Sequence, residues 1–180
     1  MFEEVVILGP TERSIPLATR MGTPIPNLVE NDPPAHAVSQ YRQLVARYGG
    51  EWRERKPATG VYNCAGLVWA SRRTCILESP AWERIIQEDG YRRLRLGEKI
   101  HPGDIAIYVD RDKNNEILHV GRVYRIKPGL AEGASPIPWV ISKWNSTSGE
   151  SMHQAYDVPY TRDFNFEARF YTDRPAESKR

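Results

Sequence analysis

Val61-Tyr62-Asn63-Cys64-Ala65-Gly66-Leu67-Val68-Trp69-Ala70 reads as an extended approach, a cysteine, and then an apolar helical run. Thr59-Gly60 before it is loop chemistry. Leu67, Val68 and Ser71 follow Cys64 at helical spacing, so the pattern predicts a helix from Cys64 to about Thr74 with one buried face. A cysteine at a helix start lies beside free backbone N–H groups and the positive end of the helix dipole. Both favour the thiolate, which is the nucleophilic form. The same stretch also fits a plain core cysteine, since free cysteines are among the most buried residues.

Outward from this stretch, the preceding chain divides in two. Glu4 to Leu8 is a short strand candidate. Gly9 to Pro34 carries six prolines and cannot hold a long helix. Residues 1–34 therefore read as an N-terminal arm, anchored by Ile15, Leu17, Met21, Ile25 and Leu28. Val38, Tyr41, Leu44, Val45 and Tyr48 recur at three- and four-residue steps, which predicts a helix from Ala35 to Tyr48, stopped by Gly49-Gly50. Pro57 to Gly60 is a loop.

Downstream, Ser79-Pro80 opens a helix over Ala81 to Asp89, and Gly90 ends it. Strands are expected over Tyr91 to Leu96, Asp104 to Val109, Ile117 to Ile126, Trp139 to Trp144 and Ala168 to Tyr171. Arg111 to Asn115 is a polar hairpin connection, Pro128 to Pro138 a loop, and Asn145 to Glu150 a turn. Helices first and an antiparallel meander after them make an α+β layout. Residues 35–172 form one domain in this reading, and 173–180 a charged tail.

A chain of 180 residues can bury about 70% of its unfolded-state surface without a metal or disulfide. Its net charge of +2 excludes nucleic-acid binding driven by bulk charge. No apolar run approaches a membrane span, and Val5 to Leu8 is too short for a signal-peptide core. The expected location is cytoplasmic as synthesised, with export by a route that reads no cleavable signal left open. Cys64 and Cys75 are eleven residues apart; on one helix that is about 16 Å, beyond disulfide reach. They also lack the close ligand pairing of structural zinc sites, so neither metal nor cofactor is expected.

His119 is the second candidate. It falls within a strand, and alternation places Ile117 and Gly121 on its face and Leu118 and Val120 on the other. Gly121 removes bulk beside it. A lone strand histidine is more often structural than catalytic. The order matters here: Asn63-Cys64-Ala65-Gly66-Leu67-Val68, then Pro102-Gly103-Asp104 opening a strand, then His119-Val120-Gly121 on its hairpin partner. This resembles the NlpC-type papain-fold cysteine peptidases, with CHAP-type amidases as close cousins, over about Ala35 to Tyr160. The resemblance implies a papain-like fold with the Cys64 helix packed on a sheet carrying His119. It also implies amide hydrolysis by Cys64 and His119, in many relatives on a peptide of bacterial cell wall. Asn63 and Ala65 stand where the family more often has aspartate and serine.

In such a mechanism Cys64 attacks the carbonyl, His119 protonates the leaving amine, and the Cys64 backbone N–H faces the oxyanion. Tyr62 and Asn63 are candidate site-support residues. The imidazole needs an orienting partner. Ser142 is the first choice, because alternation groups it with Val140 and Trp144 on the face expected to meet the helix, against Ile141 and Lys143. Asn145 and His153 are substitutes from the following loop. His36 and His101 read as surface residues. Three functions are consistent with these residues: a cysteine amidase or endopeptidase on peptidoglycan or a related peptide, a thiol-dependent acyltransferase or deamidase acting on a protein, and an inactive binding module on the same scaffold. The implied partner is a peptide-like substrate, not nucleic acid or membrane; an inhibitor or delivery protein is left open.

Overall fold

The structure, a computed structural model, describes residues 13–47, 51–77, 79–131, 133–145, 147–158 and 165–176. The strand candidate at Glu4 to Leu8 lies outside them. Among the described residues three helices, α1 (Ala35–Ala46), α2 (Cys64–Trp69) and α3 (Ser79–Glu88), accompany seven strands: β1 (Arg53–Lys56), β2 (Arg92–Arg93), β3 (Ile105–Asp110), β4 (Glu116–Lys127), β5 (Ile137–Ser142), β6 (Glu150–Gln154) and β7 (Phe166–Thr172). The strands form one sheet in the order β1-β6-β5-β4-β3-β7-β2, and every pairing is antiparallel. The architecture is α+β.

All six residues of β3 are buried, because the sheet is covered on both sides. One face carries Ile105, Ile107, Val109, Val120 and Ile141, packed against Cys64, Leu67 and Val68 of α2 and Trp82 and Ile85 of α3. The other carries Ala106, Tyr108, Val123, Val140 and Trp144, with Tyr41 of α1 and Trp52 packed on it. Strand alternation thus sorts neighbouring residues into two separate cores.

The hairpin between β3 and β4 turns through Asn114 and Asn115, whose φ values of 50° and 61° lie in the left-handed region that asparagine tolerates. In β4 the register slips by one: Tyr108 pairs with His119, but Val109 pairs with Ile117. Leu118 is the extra residue of a β-bulge. Ile117 consequently shares the α2 side with Val109 and not the His119 side, which corrects the simple alternation. In the Pro102-Gly103-Asp104 turn, Gly103 has φ +100°. Asp104 accepts the His101 N–H at 2.7 Å and an ion pair from Arg174 at 2.9 Å. That motif fixes a strand entry, and Arg174 of the expected tail is held by it.

Residues 13–34 lie along the domain. Ile25 is buried and Leu17 partly so, whereas Met21 is 76% exposed and anchors nothing. Leu28 bridges Cys75. α2 is shorter than its apolar pattern. Ser71 and Arg72 take φ values of 50° and 66°, and the chain folds back so that Thr74 O lies against Gly66. A Cβ on Gly66 would sit 1.8 Å from that oxygen. Cys64 and Cys75 are therefore not on one helix, although both are free and buried.

Candidate functional site

Asn63 caps α2 from an extended backbone; its Oδ1 accepts the Gly66 N–H at 2.9 Å. The same side chain clamps the returning chain, accepting from Ile76 N at 3.2 Å and donating to Ile76 O at 2.9 Å. Asn63 thus satisfies helix-start donors and ties two segments together. Cys64 begins the helix, as its sequence context predicts. Its sulfur is approached by the backbone amides of Val120, Ala65 and Cys64, which favour the thiolate. Burial opposes them and wins, pushing the thiol up to about 11. Burial holds Cys75 at about 11 as well. The expected depression of the Cys64 thiol is absent in this closed arrangement.

His119 is 2% exposed and lies opposite Tyr108, on the other face of the sheet from Cys64. Its ring stacks on Trp144, with centroids 4.1 Å apart and planes 16° apart, and tilts against Tyr108 at 5.6 Å. Its Nε2 is buried with no hydrogen-bond partner among the described residues. Desolvation, with neighbouring His153, keeps the imidazole neutral, well below its ordinary range. The structure therefore does not bring Cys64 and His119 together. The physical reason is the layer assignment: Val120, not His119, faces α2.

Ser142 does share the His119 face, but it binds His153. Its Oγ is 2.7 Å from His153 Nε2, and His153 Nδ1 is 2.8 Å from Gln154 O. The His153 ring stacks on Trp52 at 5.4 Å, and burial lowers its pKa to about 4. His153 belongs to β6, not to a loop folded over the cysteine. Asn145 is exposed, and its side chain caps the 145–148 turn by accepting from Thr147 and Ser148. Neither residue reaches Cys64's face as an orienting group. Beside this aromatic layer a groove of about 340 Å³ runs between α1 and the β1–β6 edge, lined by Tyr41, Arg42, Trp52, Glu54 and Ser151.

The Cys64 face holds other polar groups instead. Alternation along β5 carries Lys143 onto it beside Ile141. Lys143 is 1% exposed, its Nζ donates to Asn145 O at 2.8 Å, and it stands 5.7 Å over the Tyr62 ring. Burial lowers its pKa, against attraction from Cys75, Cys64, Glu30 and Asp32. Tyr62 OH is 3.4 Å from Glu150 Oε2, and Glu150, with no exposed surface, is paired with Arg72 at 2.5 Å and Arg55 at 3.5 Å. Lys143 and Glu150 were not singled out as site residues in the sequence. The available signal was a lysine between apolar Ile141 and Trp144, a poor place for a solvated charge.

Among the described residues no group of histidine, cysteine and acidic side chains could hold a metal ion. No described helix is long and apolar enough to cross a membrane. No protein-family model, curated protein or solved structure matches the chain.

Proposed function

We propose that the chain is a thiol hydrolase of the papain-like, NlpC-type kind, cleaving an amide bond through Cys64. The observation that carries this reading is the placement of the sulfur at a capped helix start, where the amides of Val120, Ala65 and Cys64 converge on it. Donors so arranged stabilise negative charge, first on sulfur and then on a carbonyl oxygen held against it. The order of the Cys64, Pro102-Gly103-Asp104 and His119 motifs supports a peptide of cell-wall type as substrate. His119 has no direct part in the step, since it faces the other layer. The experiment is incubation with purified muropeptides and mass spectrometry of the products. Cleavage by the wild type and its loss in Cys64→Ala supports the reading; cleavage that survives Cys64→Ala overturns it.

The separation of Cys64 from His119 favours a second reading, a binding module that holds such a peptide without cleaving it. Saturable muropeptide binding with no product, unchanged in Cys64→Ala, distinguishes it.

A further inference from the structure

A buried lysine is costly unless its charge is paired or its proton is used. Lys143 has 1% of its surface exposed, and its one described hydrogen bond is to a backbone carbonyl, Asn145 O. No carboxylate lies within ion-pairing distance of Nζ among the described residues. Glu150, on the same face, is occupied by Arg72 and Arg55. Tyr62, before α2, has its ring 5.7 Å from Nζ, and the titratable groups whose charge reaches Lys143 are Cys75 on the returning chain, Cys64 at the start of α2, and Glu30 and Asp32 of the arm. Asp32 is itself taken by Thr59 Oγ1 at 2.7 Å and Gly60 N at 2.8 Å. β4 and β5 pair as far as Arg122 with Ile141, and Lys143 follows two residues on, leading toward Val120, the residue whose amide approaches the sulfur. The amine and thiol thus occupy one layer, on neighbouring strand and helix ends.

We propose that Lys143 is the proton acceptor for Cys64, the role the sequence pattern assigned to His119. The inference rests on the thiol-hydrolase reading for its place in a reaction, but not for the coupling of the two groups. The step balances: the S–H proton passes to the neutral Nζ, and the thiolate adds to the amide carbonyl. Collapse of the adduct breaks the C–N bond as Nζ–H protonates the leaving amine. Water, giving its proton to Nζ, then cleaves the thioester and restores the thiol. Burial lowers the Lys143 pKa and so moves the amine toward its proton-accepting form, against the pull of the neighbouring acidic groups.

The test is the pH profile of Cys64 alkylation by iodoacetamide, mapped by peptide against Cys75. Lys143→Met should slow Cys64 labelling about tenfold near neutrality, one pKa unit of lost thiolate. Lys143→Arg should retain labelling, since a fixed positive charge stabilises the thiolate, but restore no hydrolysis, because a guanidinium does not exchange its proton. If Lys143→Met does not fold, the NMR titration of Lys143 in folded wild type and Cys64→Ser replaces it. The Lys143 pKa should fall when the thiol is removed. Labelling unchanged in folded Lys143→Met, or a Lys143 titration unmoved by Cys64→Ser, overturns the proposal whatever the hydrolysis assay gives. A coupled pair in a protein that cleaves no muropeptide overturns the hydrolase reading instead.

Discussion

The two faces of the sheet bury chemistry of different kinds. On the α2 face the polar groups are a thiol, an amine, a phenol and a carboxylate held by two arginines. On the α1 face they include two neutral imidazoles, with the Ser142 hydroxyl bonded to one and Trp52, Tyr108 and Trp144 enclosing both. The first set can move a proton and carry charge. The second is an aromatic packing layer whose histidines lose their charge to burial. One strand, β6, supplies a member of each set, Glu150 and His153, and one residue of register decides which side chain joins which set.

Glycines on each face give the largest contrast. Gly66→Ala forces a Cβ into the Thr74 backbone carbonyl, which no rotamer can relieve. Its cost should exceed about 4 kcal/mol, enough to abolish cooperative folding in urea. Gly121→Ala meets the Val140 Cγ1 methyl at 2.4 Å, a side-chain contact, and should cost about 1 to 3 kcal/mol. Equal effects would show that the chain does not fold back over α2.

Trp144→Ala comes next. It removes the ring that stacks on His119 and should cost about 3 to 5 kcal/mol by urea denaturation. Cys64 alkylation in the folded fraction should not change, because Trp144 is in the other core.

The pH dependence follows from the α1 face. His119 and His153 are held neutral, His153 titrating at about 4, while the unfolded chain protonates near 6.5. As pH falls through 6.5 the unfolded state binds protons that the native state does not, so stability falls. For His153 the loss runs from about pH 6.5 down to 4 and then levels, at about 1 kcal/mol per pH unit. His153→Gln should flatten the stability profile in that window. An unchanged slope in folded His153→Gln contradicts the buried, neutral imidazole.

Much of this was legible in the sequence. The Cys64 helix start, the β3–β4 hairpin and the grouping of Ser142 with Trp144 against Ile141 and Lys143 all follow from local pattern. What the pattern could not give was the layer. β3 and the end of β5 are buried on both sides, so hydropathy alternates too little to say which face meets α2. The bulge at Leu118 adds an unreadable shift, because nothing in Ile117-Leu118-His119 marks the extra residue. β1 was missed because Arg53–Lys56 is an exposed, wholly polar edge strand. β6 escapes the pattern for the opposite reason: Glu150, Ser151 and His153 are polar yet buried, with Glu150 paired to Arg72 and His153 bonded to Ser142. The third-group assignment failed with the layer, since Ser142 and His153 found each other.

Ser142→Ala should have the smallest effect. Losing the bond to His153 Nε2 should cost about 1 kcal/mol in urea denaturation, and Cys64 alkylation should stay as it was. A fall in thiol reactivity would place Ser142 in the cysteine's layer.

The most direct measurement is the rate of Cys64 alkylation, across pH 6 to 10 (roughly the range spanning ordinary imidazole and thiol titration), in wild type and folded His119→Leu. With the imidazole on the α1 face the two profiles should coincide. A His119→Leu profile about tenfold slower near neutral pH, or displaced by about one unit or more, would mean that His119 reaches the thiol and that the two-layer account is wrong.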